Sequence, residues 1–228
     1  ISNSHSLIGG IMGAGIAGLG FEKLVYDGLS KVLAGIVIAP IGGMIFGIAL
    51  TGIIITLLAR RKPAVVNKTF GRLQIISSAW FALTHGANDG QKTMGIIVLI
   101  LFSAGMIPEL EMPLWVIFAA ATAMGLGTFF GGYKVIKTLG VKVTRLRPYQ
   151  GFAAETGGGV MLAIFATLGI PASTTHAITG TIMGSGAARR KRAVRWKVSR
   201  QIIFSWLITI PGAAGLGIGF TFLIHLFV

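Results

Sequence analysis

The sequence has no cysteine and very little acid. Without cysteine there are no disulfides, no thiolate catalysis and no cysteine-based metal site. Only 6 residues are acidic and 11% are charged, against roughly 25% in ordinary soluble domains. A soluble globular enzyme fits this composition badly, and no nucleophile–base pair or paired carboxylates suggest an enzymatic centre. Disorder is excluded by what is abundant. Hydrophobic residues make up 54% of the 228, glycines number 34, and the mean hydropathy is +0.82. The net charge of +14 does not point to nucleic acid. The bases cluster between long uncharged runs, as cytoplasmic loops of a membrane protein do.

Charges divide the chain into compartments. Uncharged runs cover 32–59, 112–133 and 201–228, each long enough for the roughly 20 apolar residues of one membrane span. Residues 73–106 read as one long segment interrupted by the polar insert Asp89-Gly90-Gln91-Lys92. The run 156–188 is too long for one span and too short for two with a turn. With Gly157-Gly158-Gly159 early and Gly169-Ile170-Pro171 in its middle, it predicts a re-entrant helical hairpin with its tip near 169–175. The basic clusters Arg60–Arg72, Lys134–Arg147 and Arg189–Arg200 are expected in the cytoplasm. The segment with Glu109 and Glu111 is expected outside. Arg189–Arg200 should also attract anionic lipid. Trp115 and Trp196 fit the interfacial aromatic belt.

An internal repeat follows at an offset of 171. Ser2-Asn3-Ser4-His5 resembles Ser173-Thr174-Thr175-His176, and Gly9, Ile11, Met12, Gly13, Gly15 and Pro40 match Gly180, Ile182, Met183, Gly184, Gly186 and Pro211. The loop charges make the two copies run in opposite directions, as in secondary transporters with a site at the repeat interface. The predicted organisation is 1–59 as the end of a first inverted repeat, comprising a second hairpin arm and a span. Residues 60–72 form a cytoplasmic basic loop. Residues 73–228 form the second repeat, with broken helix 73–106, span 112–133, hairpin 151–188 and span 200–228. The chain opens without an initiator Met and holds no counterpart of the polar break. It is therefore expected to be a fragment lacking most of the first repeat.

Two constellations carry chemistry. In Thr84-His85-Gly86-Ala87-Asn88-Asp89-Gly90-Gln91-Lys92-Thr93 an acidic group interrupts an apolar segment, at a cost of about 3 kcal/mol if ionised near the bilayer centre. Gly86 and Gly90 permit unwinding. Freed carbonyls of Gly86 and Ala87, with the Asn88 amide oxygen and the Asp89 carboxylate, would make a hard oxygen cage for Na⁺, or Asp89 would carry a proton. The plainer alternative is an Asp89–Lys92 pair at i,i+3 that neutralises itself. Gln91, Lys92 and Thr93 would open a second half-helix and face an anion. In Pro171-Ala172-Ser173-Thr174-Thr175-His176, proline and hydroxyls suit the start of a helix whose free N–H groups bind an anion. Simple capping without ligand is the alternative. His5 and His176 either orient hydroxyls or pack in the core. Glu155 either pairs with a base or belongs to an ion path.

The segment His85–Lys92 resembles the signature of the inorganic phosphate transporter (PiT) family. Pro171–His176 resembles its second motif, and Ser2–His5 the first-repeat copy of that motif. The GANDGQK form is most similar to bacterial low-affinity phosphate permeases. The resemblance implies an all-α polytopic membrane protein with inverted repeats, broken helices and re-entrant hairpins. It implies phosphate symport with Na⁺ or H⁺ by alternating access. By position, Asn88 and Asp89 would serve the coupling ion and phosphate, and Ser173, Thr174, Thr175, Ser2 and Ser4 would serve phosphate. A bacterial inner membrane is the expected location, and the oligomeric state is open, a homodimer included. Another tetrahedral oxyanion such as sulfate is the nearest alternative, although an ionised Asp89 would bond the proton of phosphate and repel sulfate. A non-transporting membrane subunit is the remaining reading.

Overall fold

In a computed structural model, which describes residues 2–170 and 172–227, the chain is helical. Seven α-helices follow one another: α1 (Asn3–Leu19), α2 (Tyr26–Leu57), α3 (Pro63–Ser103), α4 (Leu114–Lys137), α5 (Pro148–Thr167), α6 (Thr174–Arg189) and α7 (Trp196–His225). A π-helical turn, Thr138–Val143, extends α4, and 3₁₀ turns at Phe21–Lys23 and Lys191–Ala193 follow α1 and α6. Among the described residues, three segments are long and apolar enough to cross a membrane: Tyr26–Leu57, Leu114–Val143 and Trp196–His225. Their apolar surfaces are mostly exposed, as lipid-facing helices require.

Helix boundaries follow local chemistry. Pro63 and Pro148 open α3 and α5 at the first turn, where the missing N–H costs nothing. For that reason the basic loop expected over 60–72 is shorter. It closes before Pro63, and Lys68 and Arg72 ride on the first turns of α3. Helices α5 and α6 form the expected hairpin. Gly169, at φ +63°, supplies the left-handed turn that ends α5. The expectation that Pro171 opens the second arm lies outside the described residues.

The principal correction concerns α3. It runs unbroken from Pro63 to Ser103 through Gly86–Gly90, where the sequence predicts an interruption. Glycine permits unwinding but does not compel it. Here the polar side chains bond within the helix: Asn88 Nδ2 donates to the Thr84 carbonyl at 2.9 Å and Thr93 Oγ1 to the Asp89 carbonyl at 3.3 Å. The carbonyls of Gly86 and Ala87 therefore belong to a continuous helix and form no open cage.

The repeats pack crosswise. Helix α1 lies on α7, and α6 lies on α2. A Cβ added to Gly9 or Gly13 would come within 2.6 Å of the Ile210 carbonyl oxygen and 2.0 Å of the Ala214 carbonyl oxygen. In the other pair, a Cβ added to Gly180 would stand 2.3 Å from the Pro40 carbonyl oxygen, and one added to Gly184 2.1 Å from that of Met44. Gly217 and Gly47 complete the match, against the carbonyls of Gly10 and Thr181. Close backbone approach through small residues is how helices associate in lipid. Residue numbers rise together across both contacts, so each pair of helices runs parallel. Helices α1 and α6 meet at their N-terminal ends, Ser2 to Ser173 and His5 to His176, and each then runs away from that meeting point, as the arms of inverted repeats do. The glycines of the hairpin arms keep the offset of 171, whereas Ile210, Ala214 and Gly217 stand 170 residues after Pro40, Met44 and Gly47. The Pro40–Pro211 match is thus one residue out of packing register.

Candidate functional site

The N-termini of α1 and α6 meet tip to tip. Ser2 and Ser173 are the N-caps, accepting from the backbone N–H of His5 at 3.4 Å and of His176 at 3.3 Å. Their hydroxyls share a 2.8 Å hydrogen bond. One turn behind, the rings of His5 and His176 meet edge to face with centroids 4.5 Å apart. Residues equivalent in the two repeats therefore touch each other, which marks the repeat axis. Both histidines are fully buried, and among the described residues none of their ring nitrogens has a partner within hydrogen-bond geometry. Trp206 of α7, also buried, lies 3.8 Å from His176 centroid to centroid. This neighbour escaped the sequence reading, which looked for tryptophans only at the membrane interface.

Helix α3 passes beside this junction and presents His85, Asn88, Asp89 and Lys92, which share one face by helical spacing. Asp89 is held from three sides. Its Oδ2 accepts from Thr174 Oγ1 at 3.0 Å and lies 3.3 Å from His85 Nε2, while Oδ1 lies 3.4 Å from Lys92 Nζ. Lys92 Nζ donates further to Ser4 Oγ at 2.8 Å and to the Ala172 carbonyl at 2.8 Å. Asn88, buried, turns instead toward α5, its Nδ2 lying 3.5 Å from the Leu162 carbonyl. The Asp89–Lys92 pair expected as the plainer alternative is present, but it is also the bridge from α3 to both hairpin tips.

The structure thus brings together Ser2, Ser4, His5, His85, Asp89, Lys92, Ser173, Thr174 and His176. It does not bring Gln91 and Thr93 to the junction. Both are exposed: Gln91, two residues beyond Asp89, lies on the opposite face of a continuous helix, and Thr93, one turn beyond Asp89, bonds its hydroxyl back to the Asp89 carbonyl. Thr175 is half-buried at the tip of α6. Gly86 and Ala87 contribute no described ligand atom, for the reason given above.

Glu155 sits apart, on α5. Its carboxylate accepts from Gln74 Nε2 at 3.3 Å and from Ser77 Oγ at 2.5 Å. No base pairs with it among the described residues. Gln74 and Ser77 are spaced i,i+3 in an apolar stretch of α3, a signal the sequence reading overlooked. The glycine face of α5 lets α3 approach: Gly151 faces the Gln74 amide, Gly158 faces Phe81 and Gly159 the Trp80 indole.

Residues 1–67 and 55–217 match the phosphate transporter family. A probable low-affinity inorganic phosphate transporter of Rhizobium meliloti is 48% identical over 93% of this chain and 64% of its own length. One from Bacillus subtilis is 41% identical over 95% of this chain and 65% of its own length. This chain therefore spans just under two thirds of those relatives. The solved structure of a sodium-dependent phosphate transporter superposes over 100% of this chain and 74% of its own, with a TM-score of 0.85 and 22% identity, a likeness of fold. By sequence over most of its length, the chain belongs to the phosphate transporter family.

Proposed function

We propose that these residues form the core of a carrier that moves inorganic phosphate across the membrane by symport with Na⁺ or H⁺, through alternating access. The observation that carries this reading is the meeting of two helix N-termini, α1 and α6, at the Ser2–Ser173 contact beside Lys92. Unsatisfied N–H groups and two positive dipole ends favour an anion. The hydroxyls of Ser2, Ser4, Ser173, Thr174 and Thr175 and the Lys92 ammonium supply donors for phosphate oxygens, and Asp89 supplies an acceptor for its proton. Asn88 and Asp89 are the candidates for the coupling ion, with Glu155 on its path. The site's position at the repeat axis suits an alternating-access carrier.

The carrier is the longer protein, in a bacterial inner membrane, completed by a first-repeat segment. Packing supports that completion. Helix α5 covers Gly42, Phe46 and Leu50 of α2, through Met161 and Gly157. The packing equivalents on α7 are Gly212, Leu216 and Phe220, and the last two are exposed. A glycine-faced counterpart of α5 fits there.

Replacing Ser173 by Ala together with Thr174 by Val tests the anion site. Each lost hydrogen bond to a charged group is expected to weaken phosphate binding about tenfold or more, read by calorimetry on the full transporter. Unchanged affinity would place the anion elsewhere.

A further inference from the structure

We infer that Lys92 is a tethered cation occupying the place of a free coupling cation, and that it makes this protein's transport cycle independent of Na⁺ at the Asp89 position. The inference deepens the symport reading above and rests on it.

The geometry is that of a small cation site. Lys92 Nζ has oxygen neighbours of three kinds: the Ala172 carbonyl at 2.8 Å, the Ser4 hydroxyl at 2.8 Å and the Asp89 carboxylate at 3.4 Å. An ammonium has three donors, and here each has an oxygen. Carbonyl, hydroxyl and carboxylate oxygens are also the ligands that a hard cation takes. The three oxygens come from separate parts of the chain: the first turn of α1, the connection between α5 and α6, and α3 itself. A cation at this point therefore ties both hairpin tips to α3. It also balances the Asp89 charge, whose side chain is only 13% exposed. Lys92 does both without leaving the protein. A free ion could not enter the same position without displacing the ammonium, and two cations this close repel each other strongly in a medium of low dielectric.

Truncating the side chain should turn the position into a true ion site. Lys92→Ala leaves the Ser4, Ala172 and Asp89 oxygens facing an empty volume with an uncompensated carboxylate. Na⁺ is then expected to bind there, while Lys92→Met fills the volume and excludes it. The first experiment is thermal unfolding of the full transporter in detergent, in NaCl and in choline chloride at equal ionic strength, without phosphate. Wild type and Lys92→Met should melt at the same temperature in both salts. Lys92→Ala should melt ~3 °C or more higher in NaCl, or fold only in NaCl. A Na⁺-dependent rise in wild type overturns the inference, as does a Lys92→Ala protein indifferent to Na⁺ or unfolded in both salts. Because this arm contains no phosphate, its outcome is separate from that of the phosphate reading. The second arm is uptake by wild type in liposomes. A rate that stays within about twofold when choline replaces Na⁺ supports the inference, and loss of uptake in choline overturns it.

Discussion

Asp89→Asn is expected to abolish uptake by the full transporter while leaving its insertion in the membrane intact. The carboxylate accepts from Thr174 and faces His85 and Lys92. An asparagine keeps the shape but replaces one accepting oxygen by a donor, which either opposes the Lys92 ammonium or requires the Thr174 hydroxyl and the His85 ring to turn from donors into acceptors. It also leaves the Lys92 ammonium without its counter-charge. For a fully buried pair, breaking it from one side costs about 3–5 kcal/mol; this pair is half-buried, and about 3 kcal/mol is enough to reduce a site-dependent rate by ~100-fold. Insertion should survive, since the apolar helices that drive it are untouched. Radiolabelled phosphate uptake, normalised to folded protein by size-exclusion chromatography, reads the effect. Uptake at the wild-type rate would show that Asp89 is structural.

The second large effect is steric. In Gly184→Val the Cβ alone would stand 2.1 Å from the Met44 carbonyl oxygen, and in Gly13→Val 2.0 Å from that of Ala214. The obstacle in both is backbone of a packed helix, which cannot swing aside as a side chain can. Each change must push α6 off α2, or α1 off α7, and with it the Ser2–Ser173 contact. We expect a loss of ~3 kcal/mol or more, seen as a fall in melting temperature of roughly 10 °C or as failure to purify. Gly125→Val, with open space around the position, is the control and should melt close to wild type. Equal behaviour of all three would contradict the crossed packing of the repeats.

Much of this is legible in the sequence, and the reasons are physical. The membrane class follows from charge placement alone. The hairpin follows from a run of unsuitable length with a glycine near its centre, and Gly169 does make that turn. The repeat follows from motif matches at one offset, and its copies proved to touch through those same residues, Ser2 to Ser173 and His5 to His176.

What was not legible depends on partners distant in sequence. Gly86 and Gly90 suggest a broken helix to anyone counting local propensities, yet α3 is continuous, with Asn88 and Thr93 bonding back to carbonyls one turn earlier. That continuity sends Gln91 to the opposite face and turns Lys92 into the site, while the Thr93 hydroxyl bonds back to the helix itself. Nothing local tells Lys92 that its oxygens come from Ser4 and Ala172, or Glu155 that its donors are Gln74 and Ser77 rather than a base. The one-residue difference between the arm offset and the span offset is likewise invisible without the carbonyls that each glycine faces.

The central claim is that the paired tips and Asp89–Lys92 select and carry phosphate. Its most direct test is radiolabelled phosphate uptake by the full transporter in liposomes, under imposed Na⁺ and pH gradients, with excess sulfate as competitor. The account predicts accumulation driven by one of the two gradients and unaffected by sulfate. Protein shown to be folded that takes up no phosphate under either gradient, or whose uptake sulfate suppresses in proportion to its concentration, would contradict it.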